Sequence, residues 1–210
     1  MTWPKPDRWA ALWSGIGASG DPSPWYERLT AAHAEPQRHY HNQQHIAECL
    51  AEFDAARHLA LQPEAVEVAI WFHDAVYDPK AADNEEQSAE LAKRCLTEAN
   101  VSEAFVQTVS TLILATKTHE VGRNPDAAVL VDVDLSILGK PKERFLEYES
   151  QIRKEYGWVP RIIFGSKRAK ILEQFLARDR IYTTDWFHQK YEQTARHNLQ
   201  TSIRQLKRWF

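Results

Sequence analysis

Cysteine is scarce in this 210-residue chain, which has two, Cys49 and Cys95. Both fall in segments of helical periodicity and read as reduced, small apolar residues, which excludes a disulfide framework. No apolar run approaches the roughly 20 residues that a membrane-spanning helix needs. The first residues carry charges and prolines where a signal peptide would have an apolar stretch, so no signal peptide is expected. Neither sign of charge is in excess: 26 Lys and Arg face 29 Asp and Glu, a net charge of −3. General nucleic-acid binders usually carry a strong basic excess, so no stable nucleic-acid complex and no membrane partner are expected. Strand signals are thin as well, residues 129–133 being the one β-branched run, and repeats, low-complexity tracts and linkers are absent. The simplest expectation is a soluble cytoplasmic protein of one domain, 1–210, large enough for one good core. It would be a monomer or a homodimer, the aromatic-rich termini being able to hide a dimer contact.

What is present is helical periodicity. The spacing of apolar residues predicts helices near 7–16, 22–35, 42–60, 63–77, 84–99, 102–118, 126–138, 141–156, 160–177 and 184–208. Pro63 suits a first helical position, where its missing N–H costs nothing. Asp83 or Asn84, Ser102 and Asp185 are the candidate N-caps of the helices that follow them. Gly139 and Pro141 would close the helix at 126–138. The eight tryptophans fall largely on helix stripes and read as core.

Within this pattern, the run 65–72 ends on the adjacent pair His73-Asp74. Burying an imidazole and a carboxylate in apolar surroundings costs several kcal/mol unless a cation or a complete hydrogen-bond set compensates them. Both groups are good ligands for zinc, manganese and iron. Upstream, Arg38-His39-Tyr40-His41-Asn42-Gln43-Gln44-His45 places three histidines within seven residues, leading into an amphipathic helix marked by Ile46, Cys49, Leu50 and Phe53. His41 and His45 share a face if that helix already includes His41. Downstream, Asp134 has Leu130 four residues before it and Ile137 and Leu138 after it, and so lies in an apolar stripe. Asp132 is about 200° around the helix, on the side of Ser136, which makes Asp134 the better ligand.

The ordered set His45, His73-Asp74, Asp134 resembles the defining pattern of the HD-domain metal-dependent phosphohydrolases, and Tyr40-His41-Asn42-Gln43-Gln44-His45 is similar to the signature of the cyclic-nucleotide phosphodiesterases in that superfamily. Asp134-Leu135-Ser136, Asn84-Glu85-Glu86 and the stretch 114–119 are similar to further segments of these enzymes. The whole chain looks still more like a group of uncharacterised bacterial proteins described as HD-superfamily hydrolases, whose C-terminal pattern Ile181-Tyr182, Tyr191-Glu192 and 195–199 fits. The resemblance implies an all-α HD-domain helical bundle with additional N- and C-terminal helices. Its metal-binding core would be about 25–140 and its C-terminal helices about 141–210, with four helices pointing ligands into one cavity.

The roles follow from the same resemblance. His45, His73, Asp74 and Asp134 would hold a divalent ion, with manganese, iron, zinc, nickel and magnesium all compatible with two imidazoles and two carboxylates. His41 would be a general acid. Glu86, with Glu85 as rival, would orient the attacking water or a ligand histidine. His119 could bond substrate or water, bind a second metal or cap its helix. Arg38, Lys117 and Arg123 are candidates for holding a phosphate, and Tyr77 and Asp78 for lining the pocket mouth. Di-iron members need two more histidines before the last aspartate, and between Asp74 and Asp134 this chain has only His119. The expected activity is hydrolysis of a phosphate mono- or diester of a nucleotide or small metabolite. A metal-dependent oxygenase and a non-catalytic nucleotide sensor with a structural metal are the alternatives.

Overall fold

A computed structural model describes residues 3–209, and among these there are ten α-helices, three short 3-10 helices and no strand. None of the helices is long and apolar enough to cross a membrane. The chain divides into two compact units, the first running to Val133 and the second starting at Asp134.

The first unit is assembled around α4 (Pro63–Phe72), whose residues from Ala65 to Phe72 are all buried. Such an all-round apolar helix has no solvent face and must be covered on every side. The cover comes from α1 (Pro6–Gly15), α3 (Gln43–Ala56), α5 (Asn84–Glu98) and α6 (Glu103–Thr118), each packed on α4. Pro63 occupies the first turn of α4, as its chemistry favours. Ahead of it, the buried Asp126 carboxylate accepts hydrogen bonds from the backbone N–H groups of Leu61 and Gln62. The indoles are core: Trp71 meets Trp9 with ring centroids 5.4 Å apart, and Trp9 lies 5.7 Å from Trp13. Between these elements, α2 (Ser23–Ala32) leads into the turn that carries Arg38 to His41.

In α7 (Pro125–Asp134) every residue from Asp126 to Val133 is buried, so Asp132 does not face solvent, and Asp134 is half-buried. The helix expected at 126–138 tightens into a 3-10 segment, Leu135–Gly139. Two of its carbonyls are taken from outside the ladder: Tyr182 Oη donates to Leu135 O at 3.0 Å, and Asn198 Nδ2 to Leu138 O at 2.9 Å.

The second unit adds α8 (Lys142–Glu155), α9 (Arg161–Leu176) and α10 (Asp185–Leu206). α10 packs on α9 and on the 3-10 segment. Gly139 permits that contact, since a Cβ there would stand 2.5 Å from Tyr191 Cβ. Arg196 anchors the same helix through the carbonyls of Leu176, Arg178 and Asp179, while Glu192 accepts from the N–H groups of Ile181 and Tyr182.

Other boundaries differ from expectation in instructive ways. Thr184, not Asp185, caps α10, its Oγ1 accepting from Phe187 N. Asp83 stands at the N-cap of α5 without a side-chain cap bond, and Asn84 turns away to exchange two hydrogen bonds with the backbone of Asp78. Ser102 caps α6 as its position suggested.

Candidate metal centre

α3 starts at Gln43, with Asn42 as its N-cap: the side-chain oxygen accepts from Gln44 N at 2.8 Å and from His45 N at 3.4 Å. His41 therefore lies before the helix and not on a shared helical face with His45. Asn42 ties the segment further by donating to His39 O at 2.8 Å. His45 is in the first turn of α3 and buried.

The helix expected to run to residue 77 ends at Phe72, so His73 caps α4 and Asp74 follows it in a turn. Backbone carbonyls in the turn past a helix end need donors from outside the helical ladder, and here side chains supply them. Arg38 donates to the carbonyls of Asp74 and Ala75, and Ser88 Oγ both accepts from Val76 N and donates to Val76 O. His73 Nδ1 lies 2.9 Å from Ile70 O. A carbonyl can only accept, so Nδ1 carries the proton, and a neutral His73 turns the lone pair of Nε2 the other way.

That lone pair points into a cluster. His73 Nε2 lies 3.1 Å from His45 Nε2 and 3.2 Å from Asp74 Oδ2, and His45 Nε2 lies 3.3 Å from the same oxygen. Three electron-rich atoms thus sit at mutual distances with at most one ring proton to share between them. Ligands held about 2.0–2.2 Å from one ion at tetrahedral or octahedral angles are separated by roughly 2.8–3.6 Å. The triangle has the edges of a metal-ligand set, and His45, His73 and Asp74 could hold an ion between them. Electrostatics match. Burial works to raise the Asp74 carboxyl, but the neighbouring imidazoles of His73 and His41 and a hydrogen bond from His45 hold it well below the ordinary carboxylate range.

Around the triangle, the His41 ring stacks on Tyr77 with centroids 4.2 Å apart and stands 6.0 Å from the His45 ring. Tyr77, Asp78 and Arg38 line a cavity of about 520 Å³ together with Ala75, Gln87 and Leu91. Two further side chains belong to this neighbourhood that the sequence had not marked. Cys49 Sγ lies 3.7 and 3.8 Å from the two ring nitrogens of His45, one helical turn on. The i, i+4 spacing was the available signal. His33 is buried, its Nδ1 bonded to Leu29 O at 2.9 Å, and its burial pushes the imidazole pKa down to about 3 against the pull of that carbonyl.

The remaining candidates are placed as follows. Arg38 is buried and occupied by protein carbonyls and by Glu35, to which its Nε donates at 2.8 Å. Lys117 pairs with Glu86 and donates to Ala82 O at 2.8 Å, both side chains of the pair being well exposed. The hydrogen bond from Lys117 keeps the Glu86 carboxyl below its ordinary pKa. His119 ends α6 in the left-handed region, φ 53°, its N–H bonded to Ala115 O. Arg123 is an exposed loop residue, and Asp134 is the last residue of α7. No protein-family model matches this chain, and neither a curated protein nor a solved structure matches it.

Proposed function

We propose that this protein is a metal-dependent phosphohydrolase acting on a phosphate mono- or diester of a nucleotide or another small metabolite. The observation that carries the reading is the triangle of His45 Nε2, His73 Nε2 and Asp74 Oδ2, with edges of 3.1, 3.2 and 3.3 Å. In the proposal these three hold a divalent ion. When bound, the ion supplies Lewis acidity toward a phosphoryl oxygen and lowers the pKa of water toward neutrality.

The chain's own residues do the rest. Ile70 O keeps the proton on His73 Nδ1, leaving Nε2 available as a ligand. His41 donates a proton to the leaving oxygen, as a general-acid imidazole does, with its ring held against Tyr77. The cavity bounded by Tyr77, Asp78 and Gln87 receives the organic part of the substrate. Glu86 and Lys117, paired at the surface, neutralise each other in this reading and stand outside the reacting groups.

The test is turnover of an aryl phosphate by protein stripped with chelator and reloaded with manganese, zinc or iron. Activity should vanish with chelator, return with an ion and disappear in Asp74→Ala. Oxygen consumption by the iron form, or tight nucleotide binding without turnover under any ion, would overturn hydrolysis in favour of an oxygenase or a sensor.

A further inference from the structure

Arg38 has the pattern of a phosphate-holding cation in the sequence, yet its surroundings give it a different task. It lies in the turn between α2 and α3, with 2% of its side chain exposed. A guanidinium offers five N–H donors in a planar fork. Nε donates to Glu35 Oε2 at 2.8 Å, one terminal nitrogen to the carbonyls of Asp74 and His41 (3.4 Å for the latter), and the other to Ala75 O at 3.0 Å. Four of the five donors are thus spent on protein acceptors, which leaves too few for the bidentate grip that makes arginine a phosphate ligand. The same guanidinium lies 5.7 Å from the centroid of Tyr77, the ring on which His41 stacks.

From this geometry we propose that Arg38 is a positioning residue, a buried staple that fixes the His41 segment and the His73-Asp74 turn relative to each other so that the ion-holding triangle closes. The inference rests on the metal-site reading above. The turn after α4 has left the helical ladder, and Arg38 supplies the donors its carbonyls require. Without it the carbonyls of Asp74 and Ala75 lose their partners, and the Asp74 side chain is free to leave the edge it shares with His73. Lysine cannot substitute, because three donors on one nitrogen do not span acceptors on both sides of a fork.

The experiment is calorimetric titration of manganese into chelator-stripped wild type, Arg38→Lys, Arg38→Gln and, as comparison, Arg168→Gln. Arg168 is also a largely buried guanidinium, bonded to Tyr148 and Glu149 in the second unit. Loss of an outer partner of a metal ligand lowers ion affinity about 10–100-fold, and both Arg38 variants should show that fall. Arg168→Gln should lower the thermal midpoint and leave manganese affinity at the wild-type value. With saturating manganese, the Arg38 variants should keep KM for an aryl phosphate within about twofold while kcat drops.

Unchanged manganese affinity in both Arg38 variants, or an equal fall in Arg168→Gln, would overturn the inference. So would a raised KM with intact ion affinity, which would make Arg38 a substrate ligand after all. Should Arg38→Gln fail to fold, Arg38→Lys keeps the buried charge and decides alone. A wild type that binds no manganese, zinc or iron would instead overturn the metal-site reading, and this one with it.

Discussion

Acidification should unfold this protein through one imidazole that the metal centre does not use. His33 is 1% exposed and its pKa falls from an ordinary 6.5 to about 3, because burial disfavours the charged ring. In the unfolded chain the same residue takes up a proton as pH drops below 6.5, while the folded form refuses it until about pH 3. The unfolded state therefore binds more protons across that window, and stability rises with pH within it. Well above 6.5 nothing is lost, and between pH 7 and pH 4.5 the linkage costs about 2.5 kcal/mol, reaching about 4 kcal/mol at pH 3. Asp74 does not confuse the upper part of the window. Its depressed carboxyl contributes stability that is present above the ordinary carboxylate pKa and is lost only at more acid pH. The comparison variant is His33→Asn, whose amide can still donate to Leu29 O but does not titrate. Urea unfolding followed by tryptophan fluorescence, with chelator present, should show wild type losing about 2.5 kcal/mol more than His33→Asn between pH 7 and 4.5. Parallel losses in the two proteins would refute the argument.

Gly139→Ala should cost about 1–3 kcal/mol by overpacking, because the new methyl would meet Tyr191 Cβ at 2.5 Å and Cγ at 2.8 Å. Adding Tyr191→Ala should not restore stability in urea titrations, since alanine keeps the Cβ that collides, and full rescue would contradict the geometry. His41→Ala should lower turnover about 100- to 10,000-fold while metal analysis finds the ion content unchanged. Loss of metal in that variant would reassign His41 as a ligand.

Most of the fold was legible because the helices carry their own signals. All ten helices at the expected positions are present, and Pro63 and Ser102 stand where their chemistry places them. The misplaced ends are those where a distant side chain competes with the helical ladder. α4 stops at Phe72 in company with the donors of Arg38 and Ser88, and the helix expected at 126–138 gives way to the 3-10 segment whose carbonyls Tyr182 and Asn198 take. No local periodicity reports a partner 36 residues away, such as Asp74 O is for Arg38. The site was legible to the extent that imidazoles and carboxylates in apolar runs require compensation: His45, His73 and Asp74 come together. The pairing of Glu86 with Lys117 was not, because both are helix-surface residues whose meeting depends on how α5 and α6 pack. Periodicity placed Asp132 opposite the apolar stripe, but in a helix buried on all sides that position is buried too.

The most direct test of the central claim is anomalous diffraction from crystals soaked in manganese or zinc. One ion should appear within about 2.0–2.3 Å of His45 Nε2, His73 Nε2 and Asp74 Oδ2 together. Anomalous density elsewhere, or none between these three atoms at saturating ion, would contradict it.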